Sequence, residues 1–149
     1  MYRRILVPLD GSSLAESAIP HAEHLASTTG AELELIRVTV VRFVQSPDNT
    51  GHMVQEDGDR AEAEEYLRQW QRRLGERGVR ATYQVRSGNV AEEIVRYATD
   101  TGVDLIVMCT HGRTGIRLWA YGSIAEKVLR AAPCSVLVVR DGRGDARTG

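Results

Sequence analysis

The sequence predicts an α/β fold, an open five-stranded parallel sheet with helices on both faces. Three observations predict it. Ile5-Leu6-Val7-Pro8-Leu9 is continuously apolar, and the run from Val103 to Met108 is strongly apolar but for Asp104, as strands buried on both faces are. Strand-like and helix-like segments alternate along the chain, the pattern of βαβ units with right-handed crossovers. Segments of helical period open on Ser or Asn beside a glycine or a turn, which marks helix starts.

The elements follow in order. The first apolar run ends at the turn Asp10-Gly11-Ser12-Ser13. Ser13 and Glu16 fit an S-x-x-E capping box, and Leu14, Ala18, Ala22 and Leu25 recur at helical spacing up to Gly30. Pro20 lies inside this helix and predicts a kink or loosened first turns. Leu33 to Val38 reads as the second strand. Residues 39–58 show no period and carry Ser46, Pro47, Asp48, Asn49, Gly51 and Gly58, which predicts a long mobile loop. Ala63, Leu67, Trp70 and Leu74 then mark a helix, closed by Gly75 and Gly78. Val79 to Val85 alternates, as an edge strand exposed on one side does.

Gly88-Asn89 supplies a turn and a cap for a helix through Val90, Ile94 and Ala98. Val103 to Met108 is the fourth strand, followed by a glycine-rich stretch from Cys109 to Gly122. Ser123 and Glu126 repeat the capping box and open a helix through Ile124, Val128 and Leu129, which Pro133 stops. Val136 to Val139 is the last strand. The expectation is one domain over 1–140, with five strands and four helices. The polar, glycine-rich tail 141–149 is expected to be disordered.

Composition narrows the function. A formal net charge of −1 over 149 residues gives no reason to expect nucleic acid or a membrane surface as partner. No apolar run approaches the roughly 20 residues that span a bilayer, and no leader pattern opens the chain, so a cytoplasmic location is the default expectation. Cys109 and Cys134 follow no C-x-x-C pattern, which implies neither a zinc site nor a disulfide framework. Lys127 is the only lysine, and no G-x-x-x-x-G-K-[ST] run exists, so P-loop chemistry is excluded. Dinucleotide, nucleophile-elbow and H-E-x-x-H motifs are also absent.

Open parallel sheets bind ligands beyond the carboxyl ends of their strands. Two turns there have unusual content. After the first strand, Asp10 can accept from ribose hydroxyls or help hold a phosphate-bound cation; it can equally close a local Asx-turn. After the fourth, Gly122-Ser123 stands at the mouth of a helix, where unpaired N–H groups and the macrodipole favour a phosphate. The alternative is a cap that serves the helix alone. Arg113 can pair with phosphate oxygens or be a solvated surface arginine, and His111 can donate to a phosphate or face solvent.

Together these turns resemble the universal stress protein family. Ile5 to Ser12 is similar to its first strand and turn, Gly88 to Ile94 to its third helix start, and Ala131 to Val139 to its closing strand. The family's G-x2-G-x9-G-[ST] signature aligns on Cys109-Thr110-His111-Gly112, nine residues, then Gly122-Ser123. The resemblance implies sheet order 3-2-1-4-5, Rossmann-like and similar to the adenine nucleotide alpha hydrolases. It implies ATP, or AMP or ADP, held across strands one and four, with Mg2+ or Mn2+ accompanying a triphosphate. Asp10 would sit near the ribose, the phosphates and that cation, with no metal bound directly by protein. The Val38 backbone would meet the adenine. Gly112, Gly122 and Ser123 would hold phosphates, and Pro8, Leu9, Met108, Cys109, His111, Arg113, Ile124 and Ala125 would line the site. Cys109 departs from the pattern where a glycine permits positive φ and close ligand approach.

The resemblance also implies a homodimer paired through strand 136–139, whose apolar edge needs cover. The expected function is an ATP-binding stress-response regulator with no catalytic residues. Two alternatives stand beside it. One is a slow ATPase, for which Asp10 and His111 are the only candidate bases. The other is a dimeric interaction module without nucleotide.

Overall fold

Five strands form one parallel sheet, β1 (Arg4–Pro8), β2 (Glu32–Thr39), β5 (Ala81–Ser87), β6 (Leu105–Thr110) and β7 (Ser135–Arg140), in the order β5-β2-β1-β6-β7. With the intervening β3 (Arg42–Gln45) and β4 (Gly51–Val54) set aside, this is the expected 3-2-1-4-5. The computed structural model describes residues 1–54, 57–110 and 123–140. The expectation of a disordered tail falls on 141–149, outside the described residues.

Alternation of side chains across the sheet builds two cores. On one face Ile5, Val7, Leu33, Leu35, Leu105 and Val107 pack under α1 (Ser13–Glu16), α2 (Ile19–Thr29) and α3 (Asp57–Glu76). On the other Leu6, Ile36, Ile106 and Met108 pack under α4 (Val90–Thr101) and α5 (Ser123–Ala131). β1 and β6 are buried almost throughout, whereas β5 alternates as an edge strand does. Ala63, Leu67 and Leu74 are fully buried on α3, and Ile94 and Ala98 on α4, so the helical spacings identified the inward faces.

Glu34 is an exception on an apolar face. It is buried in β2 and held by Arg4, whose Nε and Nη2 both lie 2.5 Å from its Oε1. Arg4 also donates to the carbonyl of Thr101, which ties β1 to the end of α4.

Several expectations are corrected. The stretch 39–58 is not a long loop. Thr39 completes β2, Arg42–Gln45 (β3) and Gly51–Val54 (β4) form an antiparallel hairpin, and α3 starts at Asp57. Asn49 turns the hairpin with φ 66, a left-handed geometry that asparagine tolerates, and the Ser46 N–H bonds the Thr50 carbonyl. The sequence showed no alternation because both hairpin faces are open, with Phe43 and Met53 each 64% exposed. The chain therefore has seven strands and five helices among the described residues.

The first helix is also divided. α1 ends at Glu16 and α2 begins at Ile19, with Pro20 in its first turn, where a missing N–H costs nothing. The cap of α1 is Ser12, not Ser13: its Oγ accepts from Ala15 N at 3.1 Å. Glu16 serves elsewhere, as described below. β5 and β6 each start two residues later than the apolar patterns suggest, at Ala81 and Leu105. Asn89 caps α4 as expected, accepting from Glu92 N, and Gly88 before it takes φ 140.

Candidate functional site

The carboxyl ends of β2, β1 and β6 lie side by side, and the first predicted turn rises from the middle one. Pro8 and Leu9 are buried, and Leu9 N donates to Ile36 O at 2.8 Å, extending the β1–β2 ladder to the edge of the turn. Asp10 then divides its two oxygens between the alternatives posed above. Oδ1 accepts from Ser12 N at 2.9 Å and from Ser12 Oγ at 2.5 Å, which is the Asx-turn. Ser12 Oγ accepts in turn from the α1 backbone, so the carboxylate is oriented by the helix cap. Oδ2 is buried and has no hydrogen-bond partner among the described residues. A buried carboxylate oxygen without a partner is costly and marks a place where a ligand donor fits.

Gly11 bridges Asp10 and Ser12 with φ 87, a conformation that side chains rarely adopt. A Cβ at Gly11 would meet the Arg37 guanidinium at 3.5 Å. That guanidinium lies over the Tyr66 ring, 5.2 Å from its centroid. Tyr66 is fixed in turn: its hydroxyl donates to Glu16 Oε1 at 2.7 Å, and Trp70 Nε1 reaches the same oxygen at 3.4 Å. Burial, then the Glu16 carboxylate, raises the Tyr66 phenol far above its ordinary range.

The structure sorts the predicted site residues by face. Val38, Met108, Ile124 and Ala125 share the apolar cluster under α4 and α5. Leu9 and Cys109 belong to the opposite cluster, under α1–α3. Cys109 lies within β6 and is not among the residues of positive φ, so the backbone there does not need a glycine. Its thiol is buried, 3.1 Å from Ser17 Oγ and 3.0 Å from the Thr110 carbonyl. Cys109 thus packs toward α1, away from the Val38 and Met108 side. Ser123 is the first residue of α5 rather than its cap, and its preceding position lies outside the described residues. His111, Gly112, Arg113 and Gly122 also lie outside them.

Sequence reasoning missed Arg37, Tyr66 and the role of Glu16. A signal for Arg37 was present, since it shares a strand face with the buried Leu33 and Leu35. Tyr66 stands between Ala63 and Trp70 at helical spacing and reads as ordinary packing. Among the described residues no three His, Cys, Asp or Glu side chains gather as a metal site. No helix among them is long and apolar enough to cross a membrane.

A doubly wound parallel sheet, with an oriented carboxylate beyond β1 and a helix opening on serine after β6, defines a protein of the Rossmann-like class. Within that class, the universal stress protein family model matches residues 1–140, and the chain belongs to that family. It is 36% identical over 141 residues to the universal stress protein MJ0531 of Methanocaldococcus jannaschii, covering 94% of this chain and 83% of that one. The solved universal stress protein UspA from Lactobacillus plantarum superposes with a TM-score of 0.77 at 27% identity, covering 93% and 98% of the two chains. A universal stress protein solved in complex with cAMP superposes at 0.69, with 24% identity over 93% of this chain and 97% of that one, and so shares the fold.

Proposed function

We propose that this chain binds an adenine nucleotide, ATP above all, at the carboxyl ends of β1, β2 and β6, and acts as a stress-response regulator rather than an enzyme. The observation that carries the reading is Asp10. Its Oδ1 is locked by Ser12, while its Oδ2 is buried with no partner beside the turn where a ribose hydroxyl would donate. The same oxygen suits a water on a nucleotide-bound Mg2+ or Mn2+, whose charge would offset that of a triphosphate. Val38 and Met108 offer an apolar wall for a base, and the opening of α5 at Ser123 favours phosphate. The cAMP held by the fold neighbour named above is consistent with this ligand class.

Regulation rather than turnover is favoured by what surrounds Asp10. Its oriented oxygen is consumed by the Asx-turn, and no other described titratable side chain is hydrogen-bonded to it. Calorimetric titration of nucleotide-stripped protein with ATP and magnesium is expected to give saturable binding. Asp10→Ala should weaken it by about 10-fold or more, the worth of a hydrogen bond to a charged group. Absence of binding by the folded protein would refute the reading and leave the dimeric interaction module in its place. ATP hydrolysis by clean protein, lost in Asp10→Ala, would establish the ATPase instead.

The proposal includes a homodimer formed through β7. Its Val136 and Val138 are half-buried, and Leu137 is 38% exposed on a strand with no neighbour on its outer side among the described residues. Leu137 also lines a groove of about 290 Å³ with Pro20, His21, His24 and Leu25 of α2. A second copy paired antiparallel on this edge would cover both.

A further inference from the structure

Arg37 is a cation that the proposed nucleotide site leaves without a task. It lies near the end of β2, and its guanidinium is packed between the Tyr66 ring and Gly11. It makes no hydrogen bond and no ion pair among the described residues. Stacking of this kind fixes the plane of a guanidinium while leaving its N–H donors uncommitted. Tyr66 cannot swing away freely, because Glu16 holds its hydroxyl. Immediately next to Gly11 stands the unpartnered Oδ2 of Asp10. A fixed fork of donors and a free acceptor therefore flank one glycine.

Position decides which anion such a fork would read. In the sheet, β1 separates β2 from β6. Phosphates on the ribose 5′ oxygen would lie on the β6 and α5 side, at Ser123. Arg37 approaches the Asp10-Gly11-Ser12 turn from the other side, that of β2 and α3. With Asp10 at the ribose, that side faces the 2′ and 3′ oxygens of the sugar. Dinucleotide-binding folds use the same division of labour: a carboxylate accepts from a ribose hydroxyl, and a nearby arginine accommodates a ribose phosphate.

We propose that, among adenine nucleotides of equal phosphate number, the site prefers those that carry a phosphate on the 2′ or 3′ oxygen of the ribose. Arg37 binds that phosphate through its fork, and Asp10 Oδ2 accepts from the remaining hydroxyl. Gly11 supplies the positive φ that this turn takes, and even a Cβ there would meet the guanidinium only at an ordinary contact distance of 3.5 Å, so the fork lies directly against the turn. The inference rests on the nucleotide reading given above, and deepens it by naming the ligand class.

The test uses ligands of matched phosphate number on the full chain: ADP, adenosine 3′,5′-bisphosphate and adenosine 2′,5′-bisphosphate, titrated by calorimetry. At least one bisphosphate is expected to bind about 10-fold tighter than ADP, as a bidentate charged contact allows. Which of the two wins tells whether the 2′ or the 3′ phosphate is read. Arg37→Ala should abolish that preference and leave ADP affinity within about 3-fold, since ADP does not use the fork. Arg37→Lys should recover part of it, because lysine supplies charge without the planar fork. Thermal melts of each variant report folding, and the comparison of the three ligands on the unaltered chain stands whatever the variants do. Equal affinity for all three, or a preference that survives Arg37→Ala, overturns the inference while ADP binding keeps the nucleotide reading. Failure of ADP, ATP and both bisphosphates to bind removes both.

Discussion

Asp10 shows how one side chain can leave room for two readings of the same residue. The Asx-turn and the ligand contact were alternatives in the sequence; the structure closes the turn through Oδ1 and leaves Oδ2, where the proposed contact would fall, buried with no partner among the described residues. Tyr66 shows the reverse, a residue that looks like packing and proves to brace a cation. Its environment makes a prediction at this scale. Burial and Glu16 raise the Tyr66 phenol above its ordinary value of 10.0 in the folded chain, whereas the unfolded chain ionises near that value. A raised folded pKa means that the contribution to stability is complete below about pH 10 and is lost as pH climbs past it. Tyr97 adds a loss in the same direction, from its own burial and the nearby Glu34. In urea melts between about pH 9 and 11, Tyr66→Phe should therefore lose stability less steeply with pH than the unaltered chain. A steeper loss in the variant would contradict the assignment. Near neutral pH the same variant should be less stable by about 1 kcal/mol, the worth of the bond to Glu16.

At the scale of elements, the β3–β4 hairpin differs from everything around it. The sheet strands are buried between helices, but Phe43 and Met53 pair across the hairpin and stay exposed. Phe43, the only phenylalanine in the chain, covers Gly51, where a Cβ would fall 1.9 Å from the ring. Gly51→Val must push that ring away. Because the hairpin does not share either buried core, the damage should remain local. Amide exchange in residues 43–53 is expected to accelerate, while the global thermal midpoint moves by no more than a few degrees. A large drop in the midpoint would show that the hairpin is coupled to the core after all. The division of α1 from α2 is a second lesson at this scale. A serine four residues past the strand and a proline in the next turn made two short helices from what reads as one period.

For the whole molecule, the decisive features are the free edges of the sheet. β5 ends one side and carries polar residues outward, whereas β7 ends the other with an apolar run. Composition protects the first, while among the described residues nothing pairs with the outer side of the second. If a second copy covers β7, Leu137→Asp should convert the dimer to monomer, read by light scattering after gel filtration, with the far-ultraviolet spectrum unchanged. A dimer that persists in this variant would move the interface elsewhere. The groove beside Leu137, lined by His21 and His24, would then also remain accessible.

The sequence by itself determined the class of fold, the sheet order through its family resemblance, and the inward face of every long helix. The class and the helix faces follow from local periodicity and from apolar runs such as Ile5 to Leu9, which a doubly covered strand can use, whereas the sheet order came only from the resemblance. It also placed Asp10 in the turn after the first strand and Ser123 at the start of a helix, because turn and helix-start chemistry is written in neighbouring residues. The tertiary structure alone decided what lies far apart in the chain and close in space. Arg37, Gly11, Tyr66 and Glu16 come from a strand, a turn and two helices, and no periodicity joins them. The same holds for Cys109, whose departure from the family signature looked like crowding of a ligand. In the fold the strand carries the thiol toward Ser17, because side chains of successive strand residues point to opposite faces.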